Sequence, residues 1–257
     1  MLLPEERQAS IRQRLLAGER LLAATLAEEF HVSEDTARRD LRELAQAGVC
    51  RRVYGGALPI SPASGTAEIR NVQDQARKRV LGDAAAGLFR SGQIVIIDAG
   101  STNLQVALGI PETLDLTVVT NAPGIAAALM GRDKIELICI GGRVSHRGGS
   151  VIGAHALRDL QRLRADICVL GACAADPSIG VTAFDAEEAV FKRTMVERSE
   201  QTIVALTNEK LATAAPFGVA SLDEIDAIVV EHDAPAAKLD LFVGPGLRIH
   251  RAAGLRR

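Results

Sequence analysis

The sequence has no tryptophan, one tyrosine and six phenylalanines, so aromatic residues make up only 3% of its 257 residues. A hydrophobic core therefore has to consist mainly of leucine, isoleucine, valine and alanine. Cysteine is also scarce, and the four cysteines show no C-x-x-C spacing, the pattern of a redox or zinc motif. We expect them to be buried thiols in a reducing cytoplasm: Cys50, Cys139, Cys168 and Cys173.

Long apolar runs are missing as well. No run approaches the roughly 20 residues that span a bilayer, and Pro4, Glu5 and Glu6 interrupt the place where a secretory signal would be apolar. The formal charge of −2 provides no bulk attraction to an acidic partner. With 47% hydrophobic and 24% charged residues, the composition is that of a soluble globular protein. We expect a cytoplasmic protein without a membrane partner, cofactor or metal.

The sequence changes character near residue 58. Residues 1–57 show helical patterns, residues 58–70 form a linker rich in Pro, Ser and Gly, and residues 71–257 alternate apolar runs with helical patterns. Because these runs are continuously apolar, they predict strands of a mainly parallel sheet covered by helices on both faces, an α/β fold. Its strand ends are the expected ligand edge. The predicted strands lie at 93–100, 116–121, 135–142, 167–173, 202–208 and 226–233.

Helices are predicted between these strands, among them 155–163 and 185–199. Another is predicted at 71–89, before the first strand. It places five apolar residues on one stripe, which we expect to dock on the large domain: Val72, Ala76, Val80, Ala84 and Leu88.

Three helices are predicted between residues 5 and 47. Ser33 is expected to cap the third, which has acidic residues in its first turn. With Ala37 at the centre of the inner face, Leu41, Leu44 and Ala45 also point inward. The outer face and its flanks then carry Asp35, Thr36, Arg38, Arg39, Arg42 and Gln46. Arginine can bond guanine bidentately and Thr or Gln can reach phosphates and base edges, so this face suits a DNA major groove.

The stretch 49–57 brings Arg51 and Arg52 onto a short strand that turns at Gly55-Gly56, the shape of a wing. Residues 1–57 contain nine arginines and nine acidic residues, so the net charge of this domain does not favour DNA. The distribution of the arginines does favour DNA, because five of them lie within residues 38–52. The alternative is that these arginines lie on an ordinary helix face that contacts only solvent.

Residues 26–57 closely resemble the N-terminal winged helix-turn-helix of DeoR-type bacterial transcription regulators. That pattern has a Ser starting the recognition helix, a Thr, Arg-Arg-Asp-Leu, then Gly, Arg and Gly-Gly-Ala. It is matched by Ser33, Thr36, Arg38, Arg39, Asp40, Leu41, Gly48, Arg52, Gly55, Gly56 and Ala57. Ala37 and Tyr54 depart from it. The resemblance implies DNA contacts by Ser33, Thr36, Arg38, Arg39, Arg42, Arg51 and Arg52.

Three predicted strands in succession end in small or polar residues. The first such turn leads into a helix, whose amides and hydroxyls form an anion site. Together the three ends predict a pocket at the carboxyl edge of the sheet. Its predicted residues are Asp98, Gly100, Ser101, Thr102, Asn103, Thr120, Asn121, Gly141, Gly142 and Arg143.

Three later residues are ambiguous. Glu188 and Lys192 are spaced as an i,i+4 ion pair or as ligand contacts, and Lys210 follows a strand end. The order of motifs again resembles DeoR-type regulators, whose sensor domain is similar to ribose-5-phosphate isomerase. The resemblance implies that the loop Asp98–Thr102 holds the phosphate of a sugar-phosphate effector and that the other segments complete the pocket. The usual Asp-x-Ser-Lys reads Thr207-Asn208-Glu209-Lys210 here, which predicts a changed effector or weaker phosphate binding.

We therefore interpret the sequence as that of a cytoplasmic bacterial regulator that forms a homo-oligomer and represses a carbohydrate operon. It would associate with the nucleoid when bound to operator DNA. A phosphorylated sugar changes its DNA affinity, and no catalytic residue is expected. The alternative is an isomerase-like enzyme with a DNA-binding module, in which Glu188 or Asp98 is the base and Lys192 an electrostatic helper. A plain interaction module would respond to no sugar phosphate.

Overall fold

The computed structural model of the chain describes residues 3–16, 19–47, 49–59, 67–72, 74–146, 148–244 and 246–254, with only the backbone at 16 and 67–69. We call residues 3–59 the head and residues 74–254 the body. Most of the predicted linker, at 60–66, lies outside the described residues.

The head is a three-helix unit with a three-stranded antiparallel sheet. Its elements are α1 (Pro4–Leu16), β1 (Leu21–Leu22), α2 (Ala23–Phe30), α3 (Glu34–Gln46), β2 (Cys50–Val53) and β3 (Gly56–Pro59). The sheet order is β1-β3-β2, and Ile11, Leu26 and Leu41 lie in the core between helices and sheet. The predicted winged helix-turn-helix is confirmed. Its last strand runs to Pro59, beyond the proposed boundary at residue 57, because Leu58 pairs with Arg51 and is buried.

The body follows a short helix, α4 (Ala67–Val72), and alternates strands with helices. The helices are α5 (Gln75–Ala86), α6 (Ser101–Leu108), α7 (Pro123–Leu129), α8 (Ala154–Gln161), α9 (Ala186–Glu197) and α10 (Ala236–Leu239). The strands are β4 (Ile94–Ile97), β5 (Leu116–Thr120), β6 (Ile135–Cys139), β7 (Ala165–Leu170), β8 (Ala174–Asp176), β9 (Gly180–Ala183), β10 (Ser199–Leu206), β11 (Phe217–Ala220), β12 (Ala227–Val230) and β13 (Arg248–Arg251).

Seven of these strands form one parallel sheet in the order β13-β12-β10-β7-β4-β5-β6. Successive side chains alternate between its faces: Val95 and Ile97 pack against α5, α6 and α7, whereas Ile96 packs against α8 and α9. The predicted parallel sheet with helices on both faces is therefore confirmed. The chain leaves β4 towards β5 and later returns to its other side as β7, so the sheet has its topological switch point between β4 and β7.

Four strands of the body were not predicted. Strands β8, β9 and β11 form a small antiparallel sheet in the order β11-β9-β8, which packs on the α9 side of the core. Strand β13 is an edge strand with the sequence Arg-Ile-His-Arg, of which all but His250 are exposed, so it lacks the apolar run that marks a central strand.

The predicted docking of α5 on the body is confirmed, but the predicted stripe is only partly buried. Val80, Ala84 and Leu88 pack against the core, whereas Ala76 is exposed. Val72 is exposed on α4, and the buried residues of α5 are Lys78, Leu81, Gly82, Ala85 and Ala86. Gly82 is needed at this contact because a Cβ there would lie 2.5 Å from the carbonyl oxygen of Gln105 on α6. The close approach of the two helices therefore rotates the predicted stripe towards the edge of the interface.

Cys139 was expected to be buried but is exposed, because it ends the edge strand β6. Across the described ranges, no helix combines the length and apolar character needed to cross a membrane.

Candidate functional site

A cleft opens at the carboxyl ends of β4 and β7, at the switch point of the sheet. The N-terminus of α6 and the turn after β7 form two of its walls. Helix α9 contributes Glu188 and Lys192, and the turn after β10 contributes Lys210. Ligands of open parallel sheets bind at this position because the two strand ends diverge there.

The floor of the cleft is a buried ion pair. The ammonium of Lys192 donates to Asp98 Oδ2, and each side chain is only 2% exposed. Asp98 also accepts hydrogen bonds from the amides of Ala99 and Gly171, both at 2.8 Å. Burial opposes the charge on Lys192, but the carboxylates of Asp98 and Glu188 outweigh it and raise the pKa of Lys192. Lys192 is therefore a fixed cation, and Asp98 holds it in place.

Gly171 is required where β7 ends beside this pair. A Cβ at this position would lie 2.5 Å from the carbonyl oxygen of Ala99 and 2.7 Å from Asp98 Oδ2. Any other residue would push apart the strand ends that bring the amide of Gly171 to Asp98.

The start of α6 presents buried polar groups to the cleft. Ser101, Thr102 and Asn103 are all less than 10% exposed. Asn103 donates to the carbonyls of Asp98 and Val169, at 2.9 and 3.0 Å, and so joins β4 to β7. The hydroxyl of Thr102 is buried without a hydrogen-bond partner among the described residues. A helix N-terminus has free amides and a positive dipole end, so this end of α6 favours an anion.

Lys210 adds a second cation. Its ammonium donates to the carbonyl of Ala172 at 2.8 Å while lining the cleft. Burial lowers the pKa of Lys210 to about 8. The groups that act on its charge are Cys173, Glu209, Lys78 and Arg70. An anion in the cleft would hold Lys210 in its charged form, because opposite charges stabilise each other.

Arg70, Cys173 and Glu188 border the outer part of the cleft. The carboxylate of Glu188 lies 3.3 Å from the ammonium of Lys192 and its side chain is 21% exposed. Arg70 belongs to α4, outside the body. The cleft thus combines several cations with one accessible acceptor, a set suited to an anionic ligand that carries hydroxyl groups.

In the head, α3 presents a polar outer face. Ser33 caps the helix and accepts from the amide of Thr36 at 3.1 Å. Arg38 pairs with Glu34 at 2.7 Å, and Arg39 pairs with Glu43 at 3.1 Å. The Arg39 side chain is 76% exposed, and exposed helix pairs of this kind contribute only about 0.3–0.5 kcal/mol. The arginines of this face can therefore exchange their present partners for phosphates or bases at little cost.

The wing places its two arginines differently. Arg52 is exposed, whereas Arg51 is half-buried, and burial lowers its pKa. Successive residues of a strand point to opposite faces, so the two arginines do not share one. Tyr54 is fully exposed at the turn. Position 56 requires glycine, because a Cβ there would lie 2.1 Å from the carbonyl oxygen of Leu21 in β1.

Asp40 has a structural role in the head. Its carboxylate accepts from Arg7 Nε at 2.5 Å, and both side chains are about 5% exposed. Gln8 donates to the same carboxylate at 3.2 Å. Asp40 therefore fastens α1 to α3 and holds the outer face of α3 in position.

Comparison with known proteins identifies the two parts of the chain. Residues 7–63 match the DeoR-like helix-turn-helix domain, and residues 73–232 match the DeoR C-terminal sensor domain. The chain belongs to the DeoR family of transcriptional regulators.

Curated relatives support this assignment along nearly the whole chain. This DeoR-family regulator is 31% identical to the HTH-type transcriptional regulator GlpR of Haloferax volcanii, over 90% of this chain and 91% of that protein. It is 29% identical to the glycerol-3-phosphate regulon repressor of Escherichia coli K12, over 84% and 86% of the two chains. A ribose 5-phosphate isomerase A from Methanocaldococcus jannaschii aligns with a TM-score of 0.40 at 13% identity, over 54% and 55% of the two chains, which is too distant to support an argument.

Only some of the predicted effector residues of this regulator line the cleft. Those that do are Gly100, Ser101, Thr102, Asn103, Glu188, Lys192 and Lys210, with Asp98 buried directly beneath them. Thr120 is buried and donates to the carbonyl of Ile97 at 2.7 Å, and Asn121 donates to the carbonyl of Val151 at 3.0 Å. These two side chains brace the strand ends. The stretch 141–143 is exposed and is not part of the cleft lining.

The residues that the sequence reasoning missed come from distant parts of the chain. Gly171, Ala172 and Cys173 follow β7, Gly148 precedes α8, and Arg70 lies on α4. The Gly-Ala after the apolar run 167–170 resembled the other strand ends and could have suggested β7. No local pattern pointed to Arg70, because the linker prediction covered it.

Proposed function

We propose that this regulator represses a carbohydrate operon and that a phosphorylated sugar bound in the cleft lowers its affinity for operator DNA. The observation that carries the proposal is the anion cradle, in which the start of α6 faces the fixed cation of Lys192 and the half-buried Lys210. The name of the Escherichia coli relative, a glycerol-3-phosphate regulon repressor, agrees with a phosphorylated effector.

The chemistry of the cleft suggests how the effector is oriented. Its phosphate would lie at the N-terminus of α6, where free amides and the helix dipole favour an anion. Glu188 accepts hydrogen bonds, so it would bind hydroxyls of the sugar. Thr102 would donate its hydroxyl to a phosphate oxygen.

On the DNA side, α3 would enter the major groove and the wing would contact the adjacent backbone. Thr36, Arg38, Arg39 and Arg42 are the candidates for groove contacts, and Arg52 is the candidate in the wing. We further propose a homo-oligomer, since two heads would bind half-sites about 34–36 Å apart. Such a protein works in the bacterial cytoplasm and on the nucleoid when bound.

The two binding events would be linked thermodynamically. An effector that prefers the arrangement with low DNA affinity lowers that affinity by the coupling free energy, typically about 1–3 kcal/mol, or roughly 5- to 150-fold. The same factor applies in reverse, so operator DNA would weaken effector binding.

The test begins with a DNA duplex that the full-length protein selects from a random pool. Fluorescence anisotropy at fixed salt then gives the affinity with and without glycerol 3-phosphate, ribose 5-phosphate, glucose 6-phosphate and inorganic phosphate. The unphosphorylated sugars and glycerol serve as controls. Selective DNA binding that one phosphosugar weakens, and its parent sugar does not, supports the proposal. Selective binding that no phosphosugar changes would reject the effector assignment.

A single substitution tests whether the effector binds at the start of α6. Thr102→Val removes a buried hydroxyl that has no partner among the described residues, so we expect folding to be unaffected and effector affinity to fall. Thr207→Val is the matched control, since its hydroxyl is also buried without a described partner but lies outside the cleft lining. Equal effector affinity in both variants and the wild type would show that the cradle is placed wrongly.

The isomerase alternative has less support in the cleft. Asp98 accepts three hydrogen bonds and holds Lys192, so it is not poised to remove a proton from a sugar. Glu188 is the remaining candidate base. Turnover of ribose 5-phosphate by the purified protein would favour an enzyme.

A further inference from the structure

Arg70 has an unusual position among the described residues that line the cleft. It precedes the sensor domain matched at 73–232 and lies on α4, immediately after the undescribed part of the linker. Its half-buried side chain borders both the cleft and the adjoining groove, beside Cys173 and Glu188. The effector cleft is thus bordered in part by the segment that leads to the head.

The backbone of Arg70 is fastened to the body. The ammonium of Lys78, itself only 6% exposed, donates to the Arg70 carbonyl at 2.7 Å. The neighbouring Arg77 forms two hydrogen bonds of 2.5 Å with Glu231. Glu231 in turn accepts from the amide of Asn208, two residues before Lys210, at 2.7 Å. Helix α5 therefore joins α4 to the turn that carries a cation of the cleft.

The other end of the linker also contacts the body close to the cleft. The carbonyl of Pro59, the last residue of the wing, accepts from the amide of Ala214 at 3.2 Å. Thr213, the residue before Ala214, donates its hydroxyl to the carbonyl of Lys210 at 2.9 Å. Both ends of the linker therefore contact the segments that form the cleft.

We propose that Arg70 is the residue through which a bound effector acts on the head. This inference rests on the proposed function and adds how the signal leaves the site. The guanidinium binds an oxygen pair of the effector's phosphate, a geometry that arginine matches and lysine does not. Because Arg70 is on α4, that contact shifts α4 relative to the body. A ligand changes an equilibrium only through contacts that differ between two states, and this contact can differ because α4 lies outside the sheet.

The test compares wild type with Arg70→Gln and Arg70→Lys in the full-length protein. Calorimetry gives the affinity for each phosphosugar that acts on the wild type, among glycerol 3-phosphate, ribose 5-phosphate and glucose 6-phosphate. Anisotropy gives the ratio of DNA dissociation constants with and without that ligand at saturation. We expect a wild-type ratio of roughly 5 to 150, a ratio near unity for Arg70→Gln, and an intermediate ratio for Arg70→Lys. Arg79→Gln, an exposed arginine of α5 outside the cleft lining, should keep the wild-type ratio.

The outcomes separate this inference from the proposed function. If the wild type responds and Arg70→Gln responds equally at saturation, Arg70 is not the coupling residue, although the proposed function stands. If no phosphosugar changes DNA binding by the wild type, the proposed function fails and this inference fails with it. Circular dichroism shows whether the variants fold. If Arg70→Gln does not, Arg70→Lys decides: a reduced ratio supports the proposal and an unchanged ratio overturns it.

Discussion

Replacing Lys192 by methionine tests the physical basis of the cleft. The substitution keeps the length of the side chain but leaves Asp98 buried without its ammonium partner, at a site where both side chains are 2% exposed. Removing one member of a buried ion pair costs about 3–5 kcal/mol. The two backbone amides that still donate hydrogen bonds to Asp98 favour a cost at the lower end of this range. For a domain of this size, about 3 kcal/mol lowers the melting temperature by roughly 6–12 °C.

The same substitution has a predictable pH dependence. Burial raises the pKa of Asp98, and the ammonium of Lys192 opposes that shift. Without Lys192 the pKa rises further, so the folded protein binds a proton more readily than the unfolded chain. The stability deficit of the variant relative to wild type should therefore be largest at neutral and alkaline pH and should shrink as the pH falls. The double variant Asp98→Asn with Lys192→Met removes both charges and should recover much of the loss.

The assay is thermal unfolding by circular dichroism or calorimetry over a pH series, since the chain has no tryptophan to serve as a fluorescence probe. Lys134→Met is the matched control, because Lys134 is exposed on the same domain and surface substitutions stay within about 0.5 kcal/mol. A variant that melts within the error of the wild type, or a deficit that grows on acidification, would refute the assignment of a buried ion pair.

Two further predictions concern the ligands. Arg39→Ala should lower affinity for the selected operator by about 1–3 kcal/mol if Arg39 reads a base, with relaxed specificity at one position, whereas equal affinities by anisotropy would contradict the orientation of α3. Because burial lowers the pKa of Lys210 to about 8, effector binding should weaken above pH 8 by up to about tenfold per pH unit. Calorimetry between pH 7 and pH 9.5 measures this, with Lys210→Met as the control that should lose the slope.

The sequence alone determined six of the seven strands of the large sheet and the helices of the head. Continuous apolar runs mark strands buried on both faces, so all six predicted strands were found. The cap at Ser33 and the inward positions of Ala37, Leu41 and Leu44 were also predicted correctly from the sequence, since helix periodicity and capping are local properties. The edge strand β13 (Arg248–Arg251) and the short strands β8, β9 and β11 of the small sheet carry no such signal and were missed.

The tertiary structure decided which strand ends meet. The sequence reasoning grouped the ends of β4, β5 and β6 because they follow one another along the chain. Strand β7 instead returns to the free side of β4, which brings the amide of Gly171 to Asp98 across 73 residues and Lys192 to the same carboxylate across 94. Thr120 and Asn121 consequently brace the strands. Periodicity specifies the faces of each element, whereas the order of strands depends on hydrogen bonds and packing between segments far apart in the chain, and no local pattern encodes these.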